Sequence, residues 1–279
     1  MRFRAAAIQM RAGTGMARNL ADASEMIAAA RASGAEFVGT PEMSNILEPD
    51  RARLRSLVKP EARDASVAGY SSLASKLGIW LNIGSLALQG AGGRLVNRSL
   101  LFAPDGRIAA RYDKIHLFDV DLPNGESIRE SNAYDGGAAA GVTPLPWGGL
   151  GLTICYDVRF PALYRALAQR GASLITVPSA FTVPTGEAHW HVLLRARAIE
   201  TGSFVLAAAQ GGRHESGRQT FGHSLIVSPW GDVLAEAGRE PGIILAEIDM
   251  GEAALARARI PALTLDRAFT LKATAALAT

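Results

Sequence analysis

The chain has 279 residues, 48% of them hydrophobic and 20% charged, enough to bury a sizeable core in one large domain or two small ones. Charges interrupt the apolar residues every few positions, which excludes the roughly 18 uninterrupted apolar residues of a membrane span, and the formal charge of +3 is scattered among 26 acidic residues without a basic run, which argues against nucleic acid as a partner. A single cysteine allows neither an intrachain disulfide nor a cysteine-based zinc site and fits a reducing compartment, the cytoplasm.

Met1-Arg2-Phe3-Arg4 and the apolar residues that follow superficially resemble a secretory leader, but Gln9 and Arg11 cut the stretch too short for one. Phe3 to Met10 reads as a strand, Asn19 to Ala32 as an amphipathic helix, Phe37 to Thr40 as a second strand and Asp64 to Leu77 as a second helix. Strands at Ile79 to Ser85 and Ser99 to Phe102 follow. Leu117 to Gly141 shows no periodicity, and a long structureless stretch inside a compact protein tends to be functional. Beyond it come a strand at Gly151 to Cys155, a helix at Phe160 to Arg170, a strand at Leu174 to Val177, a helix at His189 to Thr201 and a strand at Phe204 to Ala208. After Gly222 three strands succeed one another, His223 to Ser228, Val233 to Ala237 and Gly242 to Ile248, joined by turns at Pro229-Trp230-Gly231-Asp232 and Arg239 to Pro241. The pattern is mixed α/β. No Pro/Ser-rich linker, low-complexity segment or internal repeat divides the chain, which reads as one domain over residues 1–279.

Cys155 closes an apolar strand and precedes a turn and a helix. In open α/β sheets ligands bind beyond the carboxyl ends of strands, and a helix N-terminus there would help stabilise a thiolate at a partly exposed strand end. Glu42 follows the run Phe37 to Thr40 through Pro41, and Lys114 follows Ile108 to Asp113, so both are placed to project toward the same rim. Taken singly, these residues are equally well explained as a buried inert thiol, a cap or surface carboxylate and a solvated lysine.

Taken together and in order, Thr40-Pro41-Glu42, Tyr112-Asp113-Lys114-Ile115-His116-Leu117-Phe118-Asp119 and Thr153-Ile154-Cys155-Tyr156-Asp157-Val158-Arg159-Phe160-Pro161 closely resemble the three signature regions of the nitrilase, or carbon-nitrogen hydrolase, superfamily. The resemblance extends through Pro178-Ser179-Ala180-Phe181, Ala188-His189-Trp190, Arg195 to Glu200, Gly222-His223-Ser224 and Pro229-Trp230-Gly231. It implies an αββα sandwich whose subunits pair through the helices after the cysteine and after Ala188, giving a homodimer or homotetramer. It also implies a catalytic set of Cys155 as nucleophile, Glu42 as general base and Lys114 with backbone N–H groups near Tyr156 as oxyanion donors. Glu130 matches a second glutamate that orients Lys114 and substrate.

Around Phe181, His189 and Arg213 the chain looks most like the deaminated-glutathione amidase branch, with the omega-amidases next. That implies hydrolysis of a terminal carboxamide in a small carboxylate-bearing molecule to acid and ammonia. A carboxylate asks for a cation in the pocket, for which Arg159, Arg213 and His214 are candidates, with Tyr156, Phe181 and His189 as further substrate contacts. Hydrolysis of nitriles or N-carbamoyl amino acids, and a catalytically silent binding protein on the same fold, are the competing readings. The end of the chain, Ile260 to Arg267, departs from the branch's usual Arg-Pro-Asp-Leu-Tyr-like finish. His116, His189, His191, His214 and His223 show no metal-ligand spacing, and Gly148-Gly149-Leu150-Gly151 precedes a strand instead of opening a helix, so neither a metal nor another cofactor is expected. His116 and His223 read as structural, and Trp190 as a packing residue.

Overall fold

A computed structural model describes residues 1–122 and 125–271. The first half supplies β1 (Arg2–Gln9), α1 (Met16–Ala32), β2 (Phe37–Gly39), α2 (Arg51–Leu57), α3 (Ala65–Leu77), β3 (Trp80–Gln89), β4 (Leu95–Phe102) and β5 (Ile108–Asp113). Four short strands follow, β6 (Asp119–Asp121), β7 (Ser127–Arg129), β8 (Tyr134–Asp135) and β9 (Val142–Leu145). The second half comprises β10 (Gly148–Leu152), α4 (Pro161–Gln169), β11 (Ala172–Thr176), α5 (Val183–Thr201), β12 (Phe204–Ala207), β13 (Gly211–Arg213), β14 (Gln219–Phe221), β15 (Leu225–Val227), β16 (Val233–Glu236), β17 (Gly242–Asp249) and α6 (Gly251–Arg259).

One sheet has the order β17-β1-β2-β3-β4-β5, with β8 beside β4, and the other the order β16-β15-β12-β11-β10-β9. Each has parallel strands at its centre, β1-β2-β3 and β10-β11-β12. The side-chain alternation of β1 shows how the layers are set. Phe3, Ala5 and Ala7 pack with Leu150, Ile175 and Leu206 of the opposite sheet, whereas Ala6 and Ile8 pack with Ile27 of α1 and Tyr70 of α3. On the far side, Tyr164 and Leu167 of α4 and Trp190 and Leu194 of α5 cover the second sheet. The order helix, sheet, sheet, helix is the αββα sandwich. Small residues in the strands set the spacing: a Cβ on Gly39 would stand 2.7 Å from a Leu206 methyl. Among the described residues no helix is long and apolar enough to cross a membrane.

Helix starts follow local chemistry. Asp64 caps α3 by accepting from Ser66 and Val67 N–H, and Asp50 does the same for α2, a helix that the sequence pattern did not reveal. Helix α5 begins at Val183, before the expected His189, because Pro184 pre-sets its first turn. The stretch from Leu117 to Gly141 is not structureless: β6 and β7 form a hairpin, and a 3-10 turn at Glu130–Asn132 leads into β8. Strands of two or three residues carry too little alternation to be read from sequence.

Gly84 of β3 has no room for a side chain, since a Cβ there would lie 2.0 Å from Thr40 O, 2.3 Å from Pro178 Cβ and 2.6 Å from Pro41 O. Its backbone N–H donates to Thr40 Oγ1 at 3.1 Å. We expect Gly84→Ala to destabilise the fold by about 1–3 kcal/mol through overpacking, read as a lowered thermal midpoint, while Gly141→Ala, with nothing within 4 Å, leaves the midpoint nearly unchanged.

Candidate active site

Three strand ends meet at one cavity. The chain leaves β2 through Thr40 and Pro41 to Glu42, with Thr40 N–H bonded to Asn82 O at 2.9 Å and Ser44 Oγ to Pro41 O at 2.7 Å. Gln210 Nε2 holds the Glu42 carbonyl at 3.0 Å. Lys114 follows β5, its N–H bonded to Asn97 O at 2.9 Å. Cys155 follows β10 and opens a 3-10 turn, Cys155–Arg159, in the left-handed region at φ 49°, with its N–H on Pro178 O at 2.9 Å. A non-glycine residue held there costs of order 1–3 kcal/mol and persists only where its surroundings fix it.

The fixing group is the Asp157 carboxylate, itself fully buried. One oxygen accepts from Ile154 N–H at 2.8 Å and Tyr112 OH at 2.7 Å; the other accepts from His116 N–H at 3.0 Å and faces His116 Nδ1 at 2.7 Å. Asp157 therefore ties the cysteine turn to the loop carrying Lys114. The His116 ring stacks on Phe160 at 3.5 Å, the structural part expected of it.

Within the cavity Lys114 Nζ, 2% exposed, lies 2.9 Å from Glu42 Oε1 and 2.9 Å from Glu130 Oε2. Asn97 Nδ2 donates to the same two carboxylates, at 2.9 Å to Glu42 and 3.2 Å to Glu130. Ala180 N–H donates to Glu42 Oε2 and Phe118 N–H to Glu130 Oε2. Burial pushes Glu42 up, but the Lys114 charge and hydrogen bonds from Lys114, Cys155 and Asn97 more than offset this and hold its carboxyl below the ordinary 4.5. Burial pulls Lys114 down, yet Glu130 and Glu42 carry it well above the ordinary 10.5. Burial and the neighbouring Glu42 charge push the Cys155 thiol up. The partly exposed strand-end thiol expected from the turn is corrected: Cys155 is 7% exposed, and burial beside the Glu42 carboxylate favours the thiol over the thiolate.

The wall includes Tyr156 and the buried Phe181 together with Phe118, Tyr134 and Leu54. Arg159 does not line it: its guanidinium lies 5.9 Å from the Tyr156 ring centre and 5.7 Å from that of Phe181, and 3.3 Å from His189 Nδ1, behind the aromatic wall. His189 is exposed on α5 and likewise outside the cavity. Arg213 is exposed at the end of β13 and does not reach the cavity; Arg218, at the other side of the same hairpin, lines it instead. His214 is no cation: burial, reinforced by Arg218 and Arg11, lowers its pKa to about 4, and its nitrogens meet Ala12 O and Thr220 Oγ1. Sequence reasoning missed Asn97, Arg218 and Arg51, which stand in no motif that distinguishes them from other polar residues.

Residues 4–258 match the Carbon-nitrogen hydrolase family. This chain belongs to that family. It is 40% identical over 267 residues to a deaminated glutathione amidase of Synechocystis sp., covering 94% of this chain and 97% of the relative. The C. elegans NitFhit protein superposes with a TM-score of 0.89 at 37% identity, covering 95% of this chain but 65% of that longer one. An amidase from Nesterenkonia sp. AN1 superposes with a TM-score of 0.78 at 29% identity over 93% of this chain and 98% of its own; its glutamate-to-glutamine mutant carries a Michael adduct of acrylamide at the active-site cysteine. This carbon-nitrogen hydrolase is an amidohydrolase.

Removing Lys114 should expose the stakes of the buried pair. Glu42, depressed in the fold, contributes stability present above its unfolded value near 4.5 and lost as pH falls through its folded value; Lys114, raised, contributes stability present below 10.5 and lost as pH rises through its folded value. Between those limits this pair adds no pH slope in the wild type. In Lys114→Met burial dominates Glu42 and raises it, so stability should fall as pH rises from 5 to 8. Urea titrations should give a loss of about 3–5 kcal/mol at pH 8 and a smaller one at pH 5.

Proposed function

We propose that this amidohydrolase works through a Cys155 thioester, with Glu42 as general base and acid, Lys114 as oxyanion donor and Glu130 holding Lys114. The observation that carries the reading is a buried Glu42 carboxylate that meets Lys114 Nζ, Asn97 Nδ2 and Ala180 N–H and lines one cavity with the Cys155 thiol. Glu42 accepts the Sγ proton as sulfur attacks the amide carbon, and the carbonyl electrons move onto oxygen. Lys114 Nζ and the Tyr156 N–H, which a short turn's own bonds leave unspent, stabilise that oxyanion. Collapse breaks the C–N bond, and the departing amine, ammonia for a primary carboxamide, takes the proton from Glu42. Water then gives a proton to Glu42 and attacks the thioester. The acid leaves, and sulfur recovers the proton.

A small carboxylate-bearing amide, such as deaminated glutathione or a short omega-amide, is the substrate class we favour. The name carried by the Synechocystis relative supports it, and so do two arginines at the cavity. Arg129 is committed to both oxygens of Asp121 at 2.8 Å. Arg51, bonded to Arg129 O, and Arg218, bonded to Ala180 O, have no carboxylate partner among the described residues. Val192 and Ile199, exposed on α5, support the homo-oligomer implied by the family resemblance.

Cys155→Ala should abolish turnover without moving the thermal midpoint by more than a few degrees, and intact mass of the wild type mixed with substrate and rapidly quenched should reveal an acyl adduct confined to Cys155. Turnover retained by the alanine variant would remove the thioester route. Exhaustive chelation should leave activity in place, and thiol alkylation should end it.

For the carboxylate, the measurement is the ratio of kcat/KM for α-ketoglutaramate to that for its neutral ester. Arg218 is exposed, so solvent screening holds a charge-assisted hydrogen bond there to about 1 kcal/mol, or roughly 5-fold. Arg218→Ala should shrink the ratio by that factor, with Arg213→Ala as the unaffected control. Equal constants for acid and ester in the wild type would remove carboxylate recognition, and preference for a nitrile would redirect the substrate class while leaving the cysteine chemistry intact.

A further inference from the structure

Away from the catalytic cavity, His191 of α5, His223 of the turn between β14 and β15, and Glu236 of β16 converge on one point. His191 Nε2 and His223 Nδ1 each lie 2.9 Å from the same atom, Glu236 Oε1, and one ligand atom from each of the three residues falls within 4.8 Å of the others. None of the three lines the cavity beside Cys155. Their side chains are 38%, 25% and 36% exposed, open enough for an ion to enter and shielded enough to be held in place.

We propose that His191, His223 and Glu236 form a binding site for one divalent transition-metal ion, of which Zn2+ fits best, with a fourth position open to solvent. Two imidazole nitrogens and a carboxylate oxygen are a donor set that suits zinc. Tetrahedral zinc with bonds near 2.0–2.1 Å separates its ligand atoms by about 3.3 Å, so the two contacts with Glu236 need open by only a few tenths of an ångström. Binding exchanges the two contacts with Glu236 for metal bonds, each imidazole presenting the ring nitrogen that faces Glu236 as an unprotonated donor.

The scaffold holds the ligands independently of any ion. His223 sits at φ 55°, a left-handed conformation uncommon outside glycine that histidine tolerates better than most residues. Its N–H donates to Gly238 O at 2.9 Å, its carbonyl accepts from Trp190 Nε1 at 2.7 Å, and its ring stacks on Phe221 at 4.4 Å and 24°. His191 approaches from α5 with its ring at 69° to that of His223 and 5.8 Å away. The ion would staple α5 to the β15–β16 hairpin behind Phe221, whose ring fills the space beside Gly186 and whose N–H bonds Phe181 O in the cavity wall.

The test uses full-length Cys155→Ser protein, so that the thiol cannot bind metal, stripped with chelator and titrated with Zn2+ by equilibrium dialysis and with Co2+ by visible absorption. We expect one saturable equivalent of Zn2+, the intense bands of four-coordinate cobalt, and a raised thermal midpoint. His191→Ala and Glu236→Gln should each weaken binding at least 100-fold. Should substitution at His223 threaten folding, His223→Asn keeps a residue that tolerates the left-handed backbone while removing the ligand. His189→Ala, two residues from His191 on α5 but with its own ring against Arg159, is the control and should bind as the parent does. Absence of saturable binding below 0.1 mM, or an equivalent retained in both His191→Ala and Glu236→Gln, would overturn the site. Neither outcome bears on the thioester chemistry, which is read in the wild type with chelator present.

Discussion

A lysine ammonium with 2% exposure, clasped between two glutamates at 2.9 Å each, is the constraint around which this protein is arranged. Removing such charges from water costs several kcal/mol per ion, and a single pairing seldom recovers that much. Here the recovery is spread over a network: Asn97 bonds both carboxylates, Ala180 and Phe118 N–H each bond one, and the three strand ends that deliver the side chains are pinned by backbone contacts. A partly satisfied network of this kind would be worse than an apolar core, so its completeness sets how accurately the two sheets must dock.

That accuracy is enforced by smallness and by one buried acid. Gly84 lets Thr40 and Pro41 on one side and Pro178 on the other approach to distances no side chain would allow. Pro178 O receives the Cys155 N–H, so the same gap that admits the Glu42 loop also sets the cysteine turn. Asp157 then locks Ile154, Tyr112 and His116 into a single unit. The left-handed conformation of Cys155 is sustained by these contacts, and it aims sulfur at the carboxylate that burial alone would have neutralised.

Much of this was legible in the sequence, for identifiable reasons. Periodicity showed mixed α/β character, and the resemblance of ordered motifs to one family implied the sandwich and the groups Glu42, Lys114, Glu130 and Cys155, all four of which line the cavity. What was not legible depends on register between distant segments. Asn97 is an ordinary mid-strand residue until β4 pairs with β5 and places it beside Lys114. Arg213 and Arg218 occupy the two arms of one tight hairpin, and only its fold decides which reaches the cavity. The carboxylate cation was therefore sought in the right hairpin and on the wrong arm. The thiol was misjudged for a different reason: a turn's N-terminus lowers a pKa by a modest amount, whereas burial beside a carboxylate raises it by more.

That last inversion bears on how the reaction is controlled. A free thiolate would react with any electrophile that entered, whereas a buried thiol facing an ionised glutamate becomes nucleophilic only as its proton moves. In the route proposed above, the negative charge that appears on the substrate oxygen is met by Lys114, whose charge the two glutamates maintain. The proposed proton acceptor and oxyanion donor are the two halves of one ion pair, so whatever disturbs one alters the other, and the acidity of Cys155 is not tuned independently of Lys114. A thiol of high resting pKa is also the stronger nucleophile once deprotonated. Reactivity is stored in the geometry of the Glu42–Lys114 pair and released only when a carbonyl carbon lies within reach of sulfur.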